Sequence, residues 1–208
     1  MEKTMEKNHA VEFKGITKRF GSNVANNAVD LYLDKGVIMA LLGENGSGKT
    51  TLMNMLAGIY FPDEGQIYID GKPVTITSPK DAFDNKIGMI HQHFKLVDVF
   101  TAAENIVLGL EEKGKLDRKV VSAKVREISE KYGFEIDPDK KIYEMSVSEK
   151  QTVEIVKMLY RGAKILILDE PTAVLTPQET DRLFDVLRNM RADGNAIVII
   201  THKLNEVL

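Results

Sequence analysis

Short apolar runs separated by turn residues fill most of the first ninety positions of the chain. The runs read VEFKGI, VDLYL, VIMALL, QIYIDGKPVTI and IGMI, and the turn signals among them are Gly36, PDEG at 62–65 and Asp70-Gly71. Runs of this length bounded by Gly, Pro and Asp predict strands, and Asp-Gly is typical of a tight β-hairpin. This region is therefore predicted to be mainly β-structure.

One helix is predicted inside this region. After Gly48, the apolar residues recur at intervals of three and four positions, which is the spacing of one helix face. These residues are Leu52, Met55, Leu56 and Ile59. A strand, a glycine-rich loop and a helix therefore follow one another here.

The hydrophobic period changes between about residues 95 and 160. Three capping boxes, each with Ser or Thr followed three positions later by Glu, mark helix starts at Thr101–Glu104, Ser146–Glu149 and Thr176–Glu179. Helical spacing also relates the apolar residues that precede Gly133, namely Val121, Val125, Ile128 and Tyr132. Residues 101–160 therefore predict a small helical subdomain.

Two continuous apolar runs follow, KILILDE at 164–170 and NAIVIITH at 195–202. Such runs are typical of strands that are covered on both faces. A helix from Pro177 to about Arg191 joins them, so we expect a parallel sheet with a right-handed crossover. The last letters, LNEVL, predict another helix start, and we expect that the chain's end interrupts the domain.

Composition narrows the function classes. The chain has 208 residues, 43% hydrophobic and 28% charged, which is ordinary for one globular domain. The net charge of -3 gives no basic field, so we expect no nucleic-acid partner. The absence of Cys excludes disulfides and thiolate metal sites. No apolar stretch approaches the roughly 18 residues of a membrane span, so we expect contact with a membrane only through a partner.

A phosphate-binding loop follows the third predicted strand and opens the predicted helix. It consists of Gly43, Glu44, Asn45, Gly46, Ser47, Gly48, Lys49 and Thr50, with Thr51 next, and fits G-x-x-x-x-G-K-[ST]. Glycines let backbone N–H groups turn toward a phosphate, Lys49 reaches the terminal phosphates and the Thr50 hydroxyl can ligate Mg²⁺. The implied ligand is a purine nucleoside triphosphate with Mg²⁺. A plain glycine-rich turn would leave Lys49 and Thr50 unexplained.

Two acidic residues end the run LILDE. In an open α/β sheet, ligands bind beyond the carboxyl ends of the strands. We therefore predict that Asp169 holds the water shell of the metal and that Glu170 polarises a water toward the γ-phosphorus. Alone, such a pair would also fit a strand that simply meets solvent.

Together with further motifs in order, these elements resemble the nucleotide-binding domain of an ATP-binding cassette (ABC) transporter over nearly the whole chain. Phe20 in KRFG resembles the aromatic residue on which adenine stacks. Gln92 in IGMIHQHF resembles the glutamine that contacts Mg²⁺ and the γ-phosphate and couples to the membrane subunit. His202 in IITHK resembles the switch histidine, which contacts the γ-phosphate beside Glu170. Taken singly, each has another interpretation: a core aromatic, a polar strand end and an exposed histidine without a role.

The segment SVSEKQ stands where the family's signature sequence lies, and its residues Ser146, Ser148 and Glu149 are the candidates there. The resemblance implies that Ser146 faces the ATP held by another cassette, so that the site is complete only in a head-to-tail dimer. Ser148 replaces the usual second glycine and brings a Cβ near the phosphate, and Thr152 replaces a frequent arginine. These departures favour a weaker half site.

The implied fold is an α/β P-loop NTPase that spans residues 8–208. A RecA-like parallel core with an N-terminal antiparallel β subdomain takes 8–95 and 160–208, and an inserted α-helical subdomain takes about 96–159. The wording TAVLT and SVS is similar to simple-sugar importers, and IHQHFKLVDVFTAAENIVLG is similar to the nucleoside importers among them. Such proteins carry two cassettes, of which this chain would be most of the first.

The resemblance implies an ATPase that lies peripherally on the cytoplasmic side of the cell membrane. Its implied partners are a second cassette, transmembrane permease subunits and, indirectly, an extracytoplasmic solute-binding protein. We expect the isolated chain to hydrolyse ATP slowly or not at all, because it lacks its partner half and the final sheet strands usual in the family.

Three other functions stay open at this point. A soluble ABC protein that remodels ribosomes or DNA needs coiled-coil or basic insertions, which the sequence lacks. A GTPase or small-molecule kinase is disfavoured because no Asn-Lys-x-Asp guanine motif is present. A nucleotide-gated module with negligible hydrolysis fits Ser148, although Glu170 and His202 argue against it.

Overall fold

The computed structural model describes residues 8–110 and 117–203. Eight strands in these ranges form two four-stranded sheets. The strands are β1 His9–Phe20, β2 Asn23–Asp34, β3 Ile38–Leu42, β4 Glu64–Ile69, β5 Lys72–Val74, β6 Ile87–Ile90, β7 Ile165–Asp169 and β8 Ala196–Thr201. The helices are α1 Lys49–Leu56, α2 Pro79–Asp84, α3 Ala102–Val107, α4 Arg118–Tyr132, α5 Val147–Tyr160 and α6 Pro177–Ala192, with a short 3-10 helix at Ile142–Glu144.

The first sheet is antiparallel, in the order β2-β1-β4-β5. Asp70 and Gly71 join β4 to β5, and both have positive φ angles, 50° and 73°, as the predicted tight hairpin requires. The inward side chains of this sheet include Phe13, Ile16 and Ile67, which are at most 3% exposed. The prediction of a mainly β region is confirmed.

The second sheet is parallel, in the order β3-β8-β7-β6. All six residues of β8 are buried, and so are the first four of β7. The two continuous apolar runs thus form strands covered on both faces, as predicted, and α6 connects them. The handedness of that connection stays a prediction.

Helix α1 lies in a core that both sheets share. Its residues Met53, Met55 and Leu56 are fully buried in one cluster with Ile16 of the antiparallel sheet and Val198 of the parallel sheet. On the other face of the parallel sheet, α6 packs against the strands in a second hydrophobic cluster. The start of α1 is therefore fixed relative to the ends of the parallel strands.

Helices α3, α4 and α5 form the third core, which includes Ile106, Val125 and Val153. All three predicted capping boxes are present, at the starts of α3, α5 and α6. Helix α4 ends at Gly133, whose φ of 84° lets the chain leave the helix. The predicted bounds of the helical subdomain, about 96–159, stay a prediction.

The structure corrects the sequence prediction at two places. Ile59 lies beyond the end of α1 and is 41% exposed, so it does not extend the apolar face of that helix. Helix α2 was missed, although Ser78 caps it through the Asp81 N–H and Pro79 occupies its first turn. The predicted helix in LNEVL lies outside the described residues.

In the described ranges, no helix is both long and apolar enough to cross a membrane.

The segment after Gln92 is held by a fully buried asparagine. The Asn105 side chain accepts a hydrogen bond from the Val97 N–H at 2.7 Å. It donates to the Val97 and Thr101 carbonyls, both at 3.1 Å. A buried polar group without a hydrogen-bond partner lowers the stability of the fold. The bonds made by Asn105 therefore stabilise the entry to α3.

We expect Asn105→Ala to lower the free energy of unfolding by about 2–3 kcal/mol, because it removes three hydrogen bonds of a buried side chain and leaves the Val97 N–H without its partner. Asn27→Ala is the matched control, since Asn27 is exposed, and it should change stability by less than about 0.5 kcal/mol. Urea unfolding measures both. Equal stabilities of the two variants would show that the hydrogen bonds of Asn105 contribute nothing.

Candidate functional site

The loop between β3 and α1 begins at Gly43 and ends at Gly48. The φ angles of Gly46 and Gly48 are 82° and 86°, in the left-handed region that favours glycine. Gly48 is the N-cap of α1, so no side chain of the loop caps the first turn of this helix. Its backbone N–H groups and positive dipole end are therefore available to an anion.

Gly48 also packs against β2. A Cβ on Gly48 would lie only 2.3 Å from the Ala25 carbonyl oxygen, so no larger residue fits. The Asn26 amide donates to the Gly48 carbonyl at 3.3 Å. Asn26, which the sequence analysis missed, thus fixes the loop to the antiparallel sheet; no sequence motif marks it.

The Lys49 ammonium lies within the loop. It donates to the carbonyl oxygens of Gly43 and Glu44, both at 2.7 Å, and to the Ser47 hydroxyl at 3.1 Å. The Ser47 N–H donates back to the Glu44 carbonyl at 3.3 Å. The loop is therefore closed around a positive charge rather than splayed open.

The other predicted loop residues surround this centre. Asn45 and Gly46 lie at the exposed tip of the loop. Thr50 and Thr51 lie in the first turn of α1, and Thr50 is exposed, so its hydroxyl is accessible to a ligand.

Asp169 ends β7 close to Lys49. Burial raises the pKa of the Asp169 carboxyl, the neighbouring Glu170 raises it further, and the Lys49 charge lowers it. The parallel sheet thus brings the predicted metal residue and the loop lysine together, although 120 positions separate them in the sequence.

Glu170 and His202 form a pair at the carboxyl ends of β7 and β8. Glu170 Oε1 and His202 Nδ1 are 2.8 Å apart. The Glu170 backbone N–H donates to the Ile200 carbonyl at 2.9 Å, and its φ is 50°. Within the described structure, the buried Glu170 Oε2 has no hydrogen-bond partner. One oxygen is thus held by the histidine, and the other can accept a proton.

Gln92 shares a cavity with Asp169 and Glu170. A cavity of about 470 Å³ is lined by Gln92, Asp169 and Glu170, together with Pro171 and residues of α5. The structure therefore brings Gln92 to the acidic side of the site.

Phe20 lies at the end of β1, with 42% of its surface exposed. Its ring is in edge contact with Tyr60, at 5.1 Å between ring centroids. An exposed ring at this place fits a stacking surface better than a core residue. Tyr60 was missed by the sequence analysis, although the aromatic pair in IYFP after α1 was a visible signal.

The signature candidates lie elsewhere. Ser146 caps α5 through the Glu149 N–H at 3.2 Å, and Glu149 accepts from the Ser146 N–H at 2.7 Å and from Lys140 at 2.6 Å. Ser146, Ser148 and Glu149 line a separate cavity of about 360 Å³, whose lining includes no residue of the 43–51 loop. The structure does not bring them to the Lys49 site within one chain.

The predicted metal ligands Thr50 and Asp169 both lie near Lys49. In residues 8–110 and 117–203, no cluster of three or more His, Asp or Glu side chains is arranged to hold a metal ion. Thr50 and Asp169 nevertheless supply a hydroxyl and a carboxylate beside Lys49. This donor set fits Mg²⁺ that shares oxygen ligands with a phosphate.

We expect Asp169→Asn to raise the free energy of unfolding at neutral pH, because it removes a half-buried charge beside Glu170. The folded-state pKa of Asp169 is raised above its ordinary 3.8, so this group lowers stability as the pH rises through that window. The gain should be largest at neutral pH and vanish below about pH 4.

Urea unfolding of both proteins across pH measures this difference, and Asp181→Asn, at an exposed position of α6, is the control. A variant that is less stable than the wild type at pH 7 would contradict the burial argument.

The sequence of the chain is similar to that of known ATP-binding proteins. A family model described as "ABC transporter" matches residues 26–173. The nucleoside import ATP-binding protein NupA of Lactococcus lactis subsp. cremoris is 53% identical over 95% of this chain. The guanosine import ATP-binding protein NupO of Bacillus subtilis is 51% identical over 91% of it. The chain spans 39% and 38% of these relatives, about two fifths of their length.

The fold of the chain is also similar to solved structures of ATP-binding cassettes. The ADP conformation of MJ1267, an ATP-binding cassette of an ABC transporter, has a TM-score of 0.85 and 27% identity, with 96% of this chain and 83% of that chain covered. The dimeric cassette MJ0796 has a TM-score of 0.78 and 25% identity, with 94% and 89% covered. The expected P-loop NTPase fold is confirmed, and the chain belongs to the ABC transporter family of ATP-binding cassettes.

Proposed function

We propose that this cassette binds MgATP between its loop and the acidic end of β7, hydrolyses it, and powers the import of a small solute. The observation that carries the proposal is the closed loop around Lys49, next to Asp169 and the Glu170–His202 pair. A structural turn would need neither the lysine inside the loop nor the carboxylates beside it.

Binding rests on the loop and the start of α1. The first turn of α1 has no side-chain cap, so its N–H groups can donate to a phosphate, and Lys49 would exchange carbonyl oxygens for phosphate oxygens. Mg²⁺, when bound, neutralises charge on the β- and γ-phosphates. Thr50 would supply a hydroxyl ligand to the metal, and Asp169 and Gln92 would hold its remaining water ligands. Glu44, Asn45, Gly46 and Thr51 complete the nucleotide contacts.

Hydrolysis rests on Glu170. His202 fixes one carboxylate oxygen at 2.8 Å, which leaves Oε2 to accept a proton from an attacking water. Since Oε2 has no partner among the described residues, its capacity to accept a hydrogen bond is left for the attacking water. His202 is half exposed and can contact the γ-phosphate from the same side.

A second cassette completes the site. Ser146 and Ser148 lie at the start of α5, away from the loop of their own chain. Two cassettes arranged head to tail would bring each α5 start to the partner's phosphate. The dimeric state of MJ0796 supports dimerisation of this cassette. The Cβ of Ser148 is then expected to weaken the contact relative to a glycine.

The import function is supported by the relatives. The two proteins at 53% and 51% identity are named for nucleoside and guanosine import, while relatives named for glucose and ribose import are 42% and 44% identical. We therefore favour a nucleoside over a sugar as the solute. Transmembrane permease subunits and a solute-binding protein would be the partners, with the cassette on the cytoplasmic face of the membrane. These likenesses disfavour a soluble, non-transport ATPase.

Glu170→Gln is expected to keep ATP affinity within about twofold of wild type and to lower the rate of hydrolysis at least a hundredfold, since it removes the base but not the loop. Single-turnover assays with excess protein measure the rate, and calorimetry measures the affinity. Lys49→Ala should abolish tight binding.

Glu127→Gln is the control for the charge change, because Glu127 is exposed on α4. In assays that include a partner cassette and detect wild-type hydrolysis, hydrolysis by Glu170→Gln at the wild-type rate would overturn the assignment of the base. Wild-type protein that binds ATP but never hydrolyses it, even with a partner cassette, would favour the nucleotide-gated module.

A further inference from the structure

Two partly exposed aromatic rings meet where β1 ends. The rings of Phe20 and Tyr60 lie 5.1 Å apart between centroids at an interplanar angle of 73°, which is an edge-to-face contact. Phe20 is 42% exposed and Tyr60 36%. The two rings are therefore not core residues, and together they form one apolar patch that is exposed to solvent.

Tyr60 is held by the helix that begins at Lys49. The backbone N–H groups of Ile59 and Tyr60 both donate to the Asn54 carbonyl, at 2.9 and 3.2 Å. Asn54 belongs to α1, whose buried face is fixed in the shared core. The backbone of Tyr60 is therefore held in place by α1.

Asp63 fastens the same segment to the end of β1. Its N–H donates to the Thr17 carbonyl at 2.9 Å, and its carboxylate accepts from the Lys18 ammonium at 2.9 Å and from the Arg19 N–H at 2.6 Å. These bonds from Lys18 and Arg19 lower the pKa of Asp63, so the carboxylate stays ionised at neutral pH. The residues on each side of the ring contact are thus tied together.

The Lys18 ammonium also contacts the ring of Phe20 and that of the neighbouring Phe61. It lies 5.5 Å from the centroid of Phe20 and 4.9 Å from that of Phe61, within the range of a cation–π contact. Because Lys18 is only 8% exposed, it does not compete with a ligand at the solvent side.

We propose that Tyr60 is a positioning residue for the purine base of the nucleotide, which acts by fixing the ring of Phe20. The inference rests on the proposed function. An exposed phenylalanine at a turn can change rotamer, and a base that stacks on it must then order the ring. The edge of one ring against the face of the other removes that freedom before the base arrives.

A positioning role of this kind affects binding of the base but not binding of the phosphates. Loss of the Tyr60 ring should weaken ATP binding and leave the binding of inorganic tripolyphosphate unchanged, since tripolyphosphate has no base to stack. If Tyr60 had only a structural role at the end of α1, its loss would weaken the binding of both ligands, because it would disturb α1 and the phosphate-binding loop.

The test is calorimetric titration of the chain with MgATP and, separately, with magnesium tripolyphosphate. Tyr60→Leu should bind ATP about three- to tenfold more weakly than wild type and tripolyphosphate equally well. Tyr60→Phe keeps the ring and should restore wild-type affinity for ATP. Tyr143→Leu, at a tyrosine that is 61% exposed, is the matched control and should change neither.

Wild-type ATP affinity in Tyr60→Leu would overturn the inference and leave the proposed function intact. An equal loss for ATP and tripolyphosphate would also overturn it, in favour of a structural role. A wild-type chain that binds neither ligand would overturn the proposed function and the inference together.

Discussion

The closed loop around the Lys49 ammonium is the interaction on which the rest of the site depends. Three oxygen acceptors of the loop hold the lysine at 2.7–3.1 Å. A hydrogen bond to a charged group contributes about 1.5–3 kcal/mol when it is well formed, so this arrangement preserves the curvature of the loop without an anion. A phosphate that enters has to replace these acceptors, and it meets a loop that already has the required shape.

The fold keeps that loop in place through two contacts of different kinds. Gly48 lies so close to the Ala25 carbonyl that only glycine fits, which fixes the loop to the antiparallel sheet. Helix α1 is buried between the two sheets, which fixes the loop relative to the ends of β7 and β8. Asp169 is therefore placed near Lys49 by rigid elements, with Glu170 next to it in the chain, and rigid placement is what a site that works by orientation and charge requires.

Local signals in the sequence predicted much of this structure. The three capping boxes and the Asp70-Gly71 hairpin involve residues at most three positions apart, so their pattern alone determines the element. The continuous apolar runs predicted β7 and β8 because burial on both faces leaves a simple pattern. Helix α2 has only six residues, too few for a clear period, and was missed.

Contacts between distant residues were not predictable in the same way. Glu170 was predicted from its place at the carboxyl end of a strand and His202 from the family resemblance, but their 2.8 Å contact depends on the alignment of two parallel strands. Ile59 continued the apolar spacing of α1, yet the helix ends at Leu56 and Ile59 is exposed. Tyr60 contacts Phe20 because Asp63 ties two segments together, and no spacing rule reports that tie.

Phosphate binding by the loop is tested by the backbone amide NMR spectrum of the ¹⁵N-labelled chain before and after addition of MgATP. We expect the largest amide shifts on residues 46–51, at the tip of the loop and the first turn of α1, and we expect Lys49→Ala to remove them. Saturable ATP binding with unshifted amides in this segment, and shifts concentrated elsewhere, would contradict it.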